Sequence, residues 1–350
     1  RPWLASVASG ELAEDTTNRE MEDPENNVPK LPHDKKWKQQ QLPAWQPIAT
    51  PRNTVITLAL TGSLLLIIGS ILVASNNQIT QIVERYDNRC SLNATRCNIS
   101  MSINEDMENS GNPLHFSYGL TNYFQTFRRY VKSRSDWQLA DVDGTLETCD
   151  PLEKYDNGTT GSRTLYPCGL VANSYFNDTF KAFYCPPNSG TCELLTGDDW
   201  KSTDISWQSD RDKKFKARPL ASDETNVGPQ GFPLPPVDNE NFIVWMRVAG
   251  LPTFRKLYST VGRSFQKGGE VRVEITNNYP VSSFDGTKSI ILEEVNWMYG
   301  KNDFLGILYL LWGCLCLISA VAFAVYQHVH PRVIGDPDLI PAVAKEVATT

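Results

Sequence analysis

Residues 54–74 read TVITLALTGSLLLIIGSILVA, and residues 304–326 read FLGILYLLWGCLCLISAVAFAVY. Neither stretch contains a charged side chain. At about 1.5 Å of rise per residue, the first would form a helix roughly 31 Å long, which matches the hydrocarbon core of a bilayer. The second is slightly longer and leaves room for tilt. Because soluble cores rarely need uncharged runs of this length, the sequence predicts two membrane-spanning helices.

The two predicted spans divide the 350 residues into five parts. We expect a cytoplasmic N-terminal tail at 1–50, a first transmembrane helix at 51–75, an extracytoplasmic domain at 76–303, a second transmembrane helix at 304–326 and a cytoplasmic C-terminal tail at 327–350. Residues 1–34 combine Glu, Asp, Asn and Pro with few aromatic residues, a composition typical of disordered segments.

The orientation follows from the basic residues around the first span. Four of them precede it closely and two follow it closely: Lys35, Lys36, Lys38 and Arg52, then Arg85 and Arg89. Because cytoplasmic flanks carry the excess of Lys and Arg, this bias predicts that the N-terminus is cytoplasmic. Two spans then return the C-terminus to the same side. Trp297, Tyr299 and Tyr326 flank the second span, where aromatic rings either anchor a helix at the interface or pack within the protein.

Six of the eight cysteines lie between the spans: Cys90, Cys97, Cys149, Cys168, Cys185 and Cys192. An even number in this position is typical of an oxidising compartment. Sequence neighbours would pair as 90 with 97, 149 with 168 and 185 with 192, and other connectivities stay open. Cys314 and Cys316 fall within the second span, where cysteine behaves as a small apolar residue.

Four Asn-x-Ser/Thr acceptor sequences also lie between the spans, and none has Pro in the middle. They begin at Asn93, Asn98, Asn157 and Asn177. We expect glycosylation at these asparagines. Together with the cysteines, they predict an ectodomain that passes through the secretory pathway.

The residue pattern between the spans predicts both strands and helices. In Glu270–Asn277, apolar residues alternate with polar ones, as in a half-buried strand. Ser289–Val295 and Phe242–Val248 also read as strands. Asn122–Arg134 spaces its aromatic residues at helical intervals, and Pro252 is placed to open a short helix that ends near Thr260. Residues 219–241 are rich in Pro, Gly and Asn and predict a long loop.

The sequence offers little catalytic equipment. A net charge of −7 argues against nucleic-acid binding. His115 is the single histidine between the spans, so a multi-histidine metal site is excluded there, and a buried structural role is the simpler reading of this residue. Glu293 and Glu294 are adjacent on a predicted strand and face opposite ways. We therefore expect no catalytic residue, no metal and no cofactor.

Two triplets, Asp143-Gly144-Thr145 and Asp285-Gly286-Thr287, have the first residues of a phosphorylated aspartate loop but do not continue as one. Asp-Gly is a common turn sequence, and we expect turns at both positions.

Small residues recur seven apart in both spans. The first carries Gly62 and Gly69, and the second carries Gly306, Gly313 and Ala320. Seven residues are nearly two turns, so each set lines one helix face and allows another helix to approach closely. The absence of charge argues against an ion path or a proton relay within the spans.

Several stretches resemble one family. They are WKQQQLPAWQP at 37–47, ASNNQI at 74–79, YGLTNYFQTFRRYVKSR at 118–134, PCGLVANSYFNDT at 167–179, NFIVWMRVAGLPTFRKLY at 241–258, NNYPVSSFDGTKSIIL at 277–292 and WMYGKNDFLGI at 297–307. These blocks are similar to the cell-division-cycle-fifty family, the non-catalytic β-subunits of type-four P-type ATPases that move phospholipids. The similarity covers residues 37 to 326.

The resemblance implies a fold and a function. It implies a membrane protein with two transmembrane helices and a large α+β ectodomain rich in antiparallel β structure. The partner would be the catalytic subunit of a type-four P-type ATPase, in a one-to-one heterodimer among membrane lipids. The chain would support that subunit's folding, exit from the endoplasmic reticulum, localisation and activity, in the endoplasmic reticulum, Golgi, endosome or plasma membrane.

The resemblance also bears on individual residues. Pairing of Cys90 with Cys97 and of Cys149 with Cys168 is similar to the family's disulfides, whereas Cys185 and Cys192 depart from that pattern. Contacts with the catalytic subunit are expected from one cytoplasmic block, whose members are Trp37, Gln39, Gln40, Leu42, Pro43, Ala44, Trp45, Gln46 and Pro47.

Two other classes share parts of this pattern. A two-span homotrimeric ligand-gated channel has the same topology and a cysteine-bonded ectodomain, but it would pass current alone. A hydrolase in the ectodomain would depend on His115.

Overall fold

The computed structural model describes residues 50–331, apart from 110, 143–146, 157, 159 and 160. The predicted disordered tail at 1–34 and the C-terminal tail from residue 332 onward lie outside these residues. So does the first of the two Asp-Gly-Thr triplets.

Two long helices open and close the described chain. Helix α1 is Pro51–Asn77 and helix α7 is Asp303–Val329. Both are long and apolar enough to cross a membrane, and about 40 Å of helix exceeds the hydrocarbon thickness. Few of their side chains are buried within the chain, unlike those of a helix in a soluble core. The elements between them are, in order, β1 Gln81–Arg85, β2 Ala94–Ser102, β3 Leu114–Leu120, α2 Arg128–Lys132, α3 Asp136–Leu139, β4 Lys154–Asp156, β5 Ser162–Leu165, α4 Leu170–Asn173, β6 Thr179–Cys185, β7 Glu193–Leu194, α5 Gln208–Lys213, β8 Glu224–Thr225, α6 Glu240–Met246, β9 Phe254–Val261, β10 Glu270–Asn277 and β11 Lys288–Glu293.

The strands form two antiparallel four-stranded sheets. The first has the order β1-β11-β3-β9 and the second β2-β10-β6-β7. Alternate side chains of both sheets meet in one core, where the rings of Phe116 and Phe180 lie 5.5 Å apart. We call this part the sandwich lobe. The predicted membrane protein with a β-rich, mainly antiparallel domain between two helices is confirmed.

A second core lies beside the sandwich. Helices α3, α4 and α6 contribute Leu139, Val171 and Phe242 to it, and Phe215 packs in from the segment after α5. We call this part the helical lobe. A small third sheet, β4-β5-β8, lies near the disulfide between Cys149 and Cys168, and its β5 and β8 are parallel.

A buried ion pair lies at the centre of the sandwich lobe. Lys288 of β11 donates from Nζ to Asp178 at 2.6 Å, and both side chains are almost completely buried. Asp178 also accepts from the Tyr86 hydroxyl at 2.7 Å and from the backbone N–H groups of Asn278 and Tyr279. Burial lowers the pKa of Lys288, and the Asp178 carboxylate opposes that shift.

The described cysteines between the spans form three disulfides. Cys90 bonds Cys97, Cys149 bonds Cys168, and Cys185 bonds Cys192. These are the pairs of sequence neighbours. The third pair joins the end of β6 to the loop that leads into β7.

Three of the predicted elements differ from the structure. Phe242–Val248 is not a strand: Asn239 caps a helix there by accepting from the Phe242 N–H, and Phe242, Trp245 and Met246 bury one helical face. The segment after Pro252 is not a helix, because Phe254–Val261 pairs with β3.

The third difference is in Asn122–Arg134, where only Arg128–Lys132 is helical and Tyr123 instead packs its ring against Trp245 and Phe284. The strand at Glu270–Asn277 is confirmed, and the strand predicted at Ser289–Val295 is Lys288–Glu293.

Candidate partner interface

The small-residue faces of the two long helices pack against each other. A Cβ on Gly62 would lie 3.0 Å from the Gly313 carbonyl oxygen, and a Cβ on Gly313 would lie 3.1 Å from the Gly62 carbonyl oxygen. Gly69 meets Leu310 in the same way. The predicted close approach is therefore made within this chain, and these faces are not open to a partner.

The opposite faces of both helices carry large apolar side chains that nothing in the described chain covers. In α1 the set repeats at helical intervals, with 55–68 % of each side chain exposed: Leu60, Leu64, Ile67 and Ile71. In α7 a matching set is 50–71 % exposed: Phe304, Leu311, Leu315 and Ile318. Within a membrane these two faces contact lipid or the transmembrane helices of another protein.

A polar clasp joins the ends of the helices where they enter the sandwich lobe. Asn76 at the end of α1 is 1 % exposed and donates to the Asp303 carboxylate at the start of α7. Its side-chain oxygen accepts from the Asn302 N–H at 2.7 Å. Asn296 adds a bond of 3.1 Å to the Ser75 carbonyl. The clasp fixes the helix pair in relation to the domain.

Glu293 and Glu294 extend the clasp into the first sheet. Glu293 is 3 % exposed, pairs with Arg255 at 2.7 Å and accepts from Gln81 at 2.8 Å. Glu294 accepts 3.0 Å bonds from the backbone N–H groups of Thr80 and Glu108. The two carboxylates have separate partners and hold strand ends together.

His115 is buried beside this cluster. Its ring meets that of Tyr299 edge to face, with centroids 5.1 Å apart. Burial and, to a smaller extent, the nearby Arg255 guanidinium together lower the pKa of His115 to about 4. The imidazole is therefore neutral at pH 7, and with this pKa it would be a weak general base. Among the described residues, no cluster of three or more His, Cys, Asp or Glu side chains could hold a metal.

Two of the aromatic residues that flank the second span lie at the surface of the described chain. Trp297 and Tyr299 are 70 % and 67 % exposed just before α7, as interfacial anchors would be, although Tyr299 also packs on His115.

In the second Asp-Gly-Thr triplet, Asp285 adopts φ 51° directly after a single 3-10 turn, which agrees with the predicted turn.

A patch at the far end of the first sheet was not predicted. The rings of Phe124 and Phe127 pack at a tilt with centroids 5.6 Å apart, and the two residues are 44 % and 64 % exposed. Leu251 is 71 % exposed and lies on the adjoining loop. The Gln125 side chain holds this loop in place by accepting a hydrogen bond from the Ala249 N–H. We call these three apolar residues the distal patch. The sequence carries a signal for this patch, because Phe124 and Phe127 lie within the four residues before the Arg128-Arg129 pair.

Strand register places the distal patch away from the helices. Gln81, just after α1, pairs with Glu293, and Lys288 at the other end of β11 pairs with Leu120. Five strand steps separate these ends, or about 17 Å. The distal patch follows Leu120 and precedes Phe254, so it lies at the end of the first sheet opposite the long helices.

The described residues contain some of the predicted glycosylation and partner-contact sites but not others. Asn93, Asn98 and Asn177 are on the domain between the helices, and Asn93 and Asn98 are exposed. Asn157 lies outside the described residues. So does the whole predicted contact block from Trp37 to Pro47.

Along most of its length, the chain is similar to proteins whose family is known. The profile of the LEM3 (ligand-effect modulator 3) family / CDC50 family matches residues 30–333. Putative ALA-interacting subunit 4 of Arabidopsis thaliana is 36 % identical over 340 residues, covering 88 % of this chain and 93 % of that protein. Cell cycle control protein 50A of Bos taurus is 35 % identical over 339 residues, covering 85 % and 89 %. Cell cycle control protein 50B of Homo sapiens is 32 % identical over 328 residues, covering 82 % and 91 %. With a matching profile across both helices and the domain between them, the chain belongs to the LEM3/CDC50 family of membrane proteins.

Proposed function

We propose that this chain is the non-catalytic accessory subunit of a phospholipid-translocating P-type ATPase. One observation carries the proposal: membership of a family in which a relative is named as an interacting subunit, on a chain whose helix pair leaves broad apolar faces uncovered. The chain forms a one-to-one heterodimer with the catalytic subunit. ATP hydrolysis and movement of phospholipid to the cytoplasmic leaflet belong to the partner.

The proposed topology has both termini in the cytoplasm and residues 76–303 in the lumen or outside the cell. The three disulfides and the positions of the described acceptor asparagines support it, because both features belong to an oxidising compartment. The chain resides in the secretory pathway, in the endoplasmic reticulum, Golgi, endosome or plasma membrane. There it supports the folding, export, localisation and activity of the catalytic subunit.

Three surfaces are proposed to contact the partner. The first is the outward face of α1 or of α7, since their inward faces are occupied by each other. The second is the lower, membrane-facing part of the domain around Trp297 and Tyr299. The third is the cytoplasmic block from Trp37 to Pro47, which approaches the catalytic subunit from the other side of the membrane.

Purification from native membranes tests the proposal. We expect a large P-type ATPase to co-elute with the tagged chain in equal amount. The variants Leu64→Trp and Leu315→Trp test which outward face contacts the ATPase. The variant on the contact face should no longer co-elute with the ATPase, and the other variant should still do so. If the chain elutes only with copies of itself, the proposal fails and a homotrimeric channel is favoured.

A further inference from the structure

A cleft of about 670 Å³ lies between the sandwich lobe and the helical lobe. Asn278, Tyr279 and Phe284 line it from the sandwich lobe, and Asn173 and Phe232 line it from the other side. Its wall combines aromatic rings with amide side chains. This is the composition of sites that bind a ring-shaped polar molecule, with apolar faces for stacking and a few polar groups for orientation.

Two predicted glycosylation asparagines, Asn93 and Asn177, open into this cleft. Asn93 is exposed at the rim, whereas Asn177 is half-buried in the wall. Asn98, by contrast, is exposed on β2 of the second sheet and does not line the cleft. A sugar attached to Asn177 would therefore begin inside the cleft.

The backbone at Asn177 is held firmly. Its carbonyl accepts from the Asn278 side chain at 3.3 Å, and the next residue, Asp178, is the buried partner of Lys288. The direction in which a glycan leaves this asparagine is thus set by the sandwich core.

Two amide oxygens of the cleft wall are enclosed and have no hydrogen-bond partner in the described chain: Asn177 Oδ1 and Gln230 Oε1. Buried acceptors in native proteins are nearly always paired. The N–H of an N-acetyl group and the hydroxyls of a sugar are donors of the kind that such oxygens accept. The partly exposed rings of Phe284 and Phe232 offer surfaces on which a sugar ring stacks.

We propose that the first N-acetylglucosamine residues of a glycan on Asn177 occupy this cleft and bridge the two lobes. The glycan then acts as a structural part of the domain. The proposal rests on the lumenal placement of residues 76–303 given under the proposed function.

Site-resolved deglycosylation tests the proposal. The full chain is expressed in a eukaryotic cell, purified in detergent and treated with peptide N-glycosidase, which converts each released asparagine to aspartate and so marks each site for mass spectrometry. Because release requires the sugar to leave the cleft, we expect Asn177 to react about tenfold more slowly in the native protein than after denaturation. The exposed Asn98 serves as the control and should react at similar rates in both states.

Two wall variants sharpen the test. Gln230→Ala removes one unpaired acceptor and Phe232→Ala removes one stacking surface, and each should speed native release at Asn177 without changing release at Asn98. Equal native and denatured rates at Asn177 would overturn the proposal, as would an unmodified Asn177 in a chain whose Asn98 carries sugar. If every described acceptor is unmodified, the lumenal placement fails and this inference fails with it.

Discussion

Lys288 and Asp178 form an ion pair of 2.6 Å in which both side chains are almost fully excluded from solvent. The pair joins β11 of the first sheet to the residue before β6 of the second, so it ties together the two halves of the sandwich lobe. Tyr86 and the backbone N–H groups of Asn278 and Tyr279 complete the coordination of the carboxylate.

Replacing Lys288 by Met should destabilise the domain by about 3–5 kcal/mol, because it leaves the Asp178 carboxylate buried and without its counter-charge. Thermal unfolding of the purified chain measures the loss. The matched control is Lys181→Met on β6, whose ion pair with Glu274 is exposed and 4.0 Å long and should contribute less than about 1 kcal/mol. Equal melting temperatures for the Lys288 variant and the parent chain would show that the pair does not hold the sheets together.

Enlarging Gly313 should separate the membrane helices. Gly313→Val places two methyl groups against Leu66 and the Gly62 backbone, and overpacking of this kind costs about 1–3 kcal/mol. We expect a lower yield of monodisperse protein on size-exclusion chromatography and a lower melting temperature. Ser63→Val places the same side chain on the exposed face of α1 and should change neither. The packing described here would be wrong if both variants behaved alike.

Stability should fall in acid because of His115. Its folded pKa of about 4 is below the value of roughly 6.5 expected in the unfolded chain, so the unfolded state binds more protons between these values. Stability from this group is therefore present above pH 6.5 and is lost as the pH falls toward 4. The loss between pH 7 and pH 5.5 should be about 1 kcal/mol.

Comparing melting temperatures at pH 7 and pH 5.5 checks this linkage. His115→Gln removes the titrating group and keeps a polar side chain of similar size, so it should shrink the difference between the two pH values. An unchanged difference in the variant would assign the acid sensitivity to other groups.

Breaking the clasp should loosen the helices from the domain. Asn76→Leu removes both side-chain bonds of Asn76 and leaves the Asp303 carboxylate and the Asn302 N–H without that partner, at a cost of about 1–3 kcal/mol. Hydrogen exchange should rise in the segment around residues 296–302. The neighbouring Asn77 is exposed, and Asn77→Leu should leave exchange there unchanged. If exchange rises equally in both variants, Asn76 has no special role.

The sequence predicts those parts of the fold in which a local residue pattern is compatible with only one kind of structure. An uncharged apolar segment of more than 20 residues is rarely found outside a membrane. Strict alternation at Val271, Val273 and Ile275 produced the strand that the structure contains. Phe242–Val248 offered no such signal, because a continuous apolar run suits a buried strand and a buried helix equally. The Asn239 cap and the spacing of Phe242 and Trp245 decided for a helix.

The candidate interface was only partly predictable, because it depends on which residues meet across the fold. The glycines at 62 and 313 marked helix faces built for close contact, but nothing local showed that the two faces meet each other. Arg255, Glu293 and His115 come from three strands, and only the sheet register brings them together. The distal patch depends in the same way on two loops separated by more than a hundred residues.

Lipid transfer in reconstituted vesicles tests the central claim most directly. Vesicles containing the co-purified complex should move a fluorescent phospholipid between leaflets when ATP is supplied, and vesicles containing this chain alone should not. ATP-dependent transfer by the chain alone would contradict its assignment as an accessory subunit.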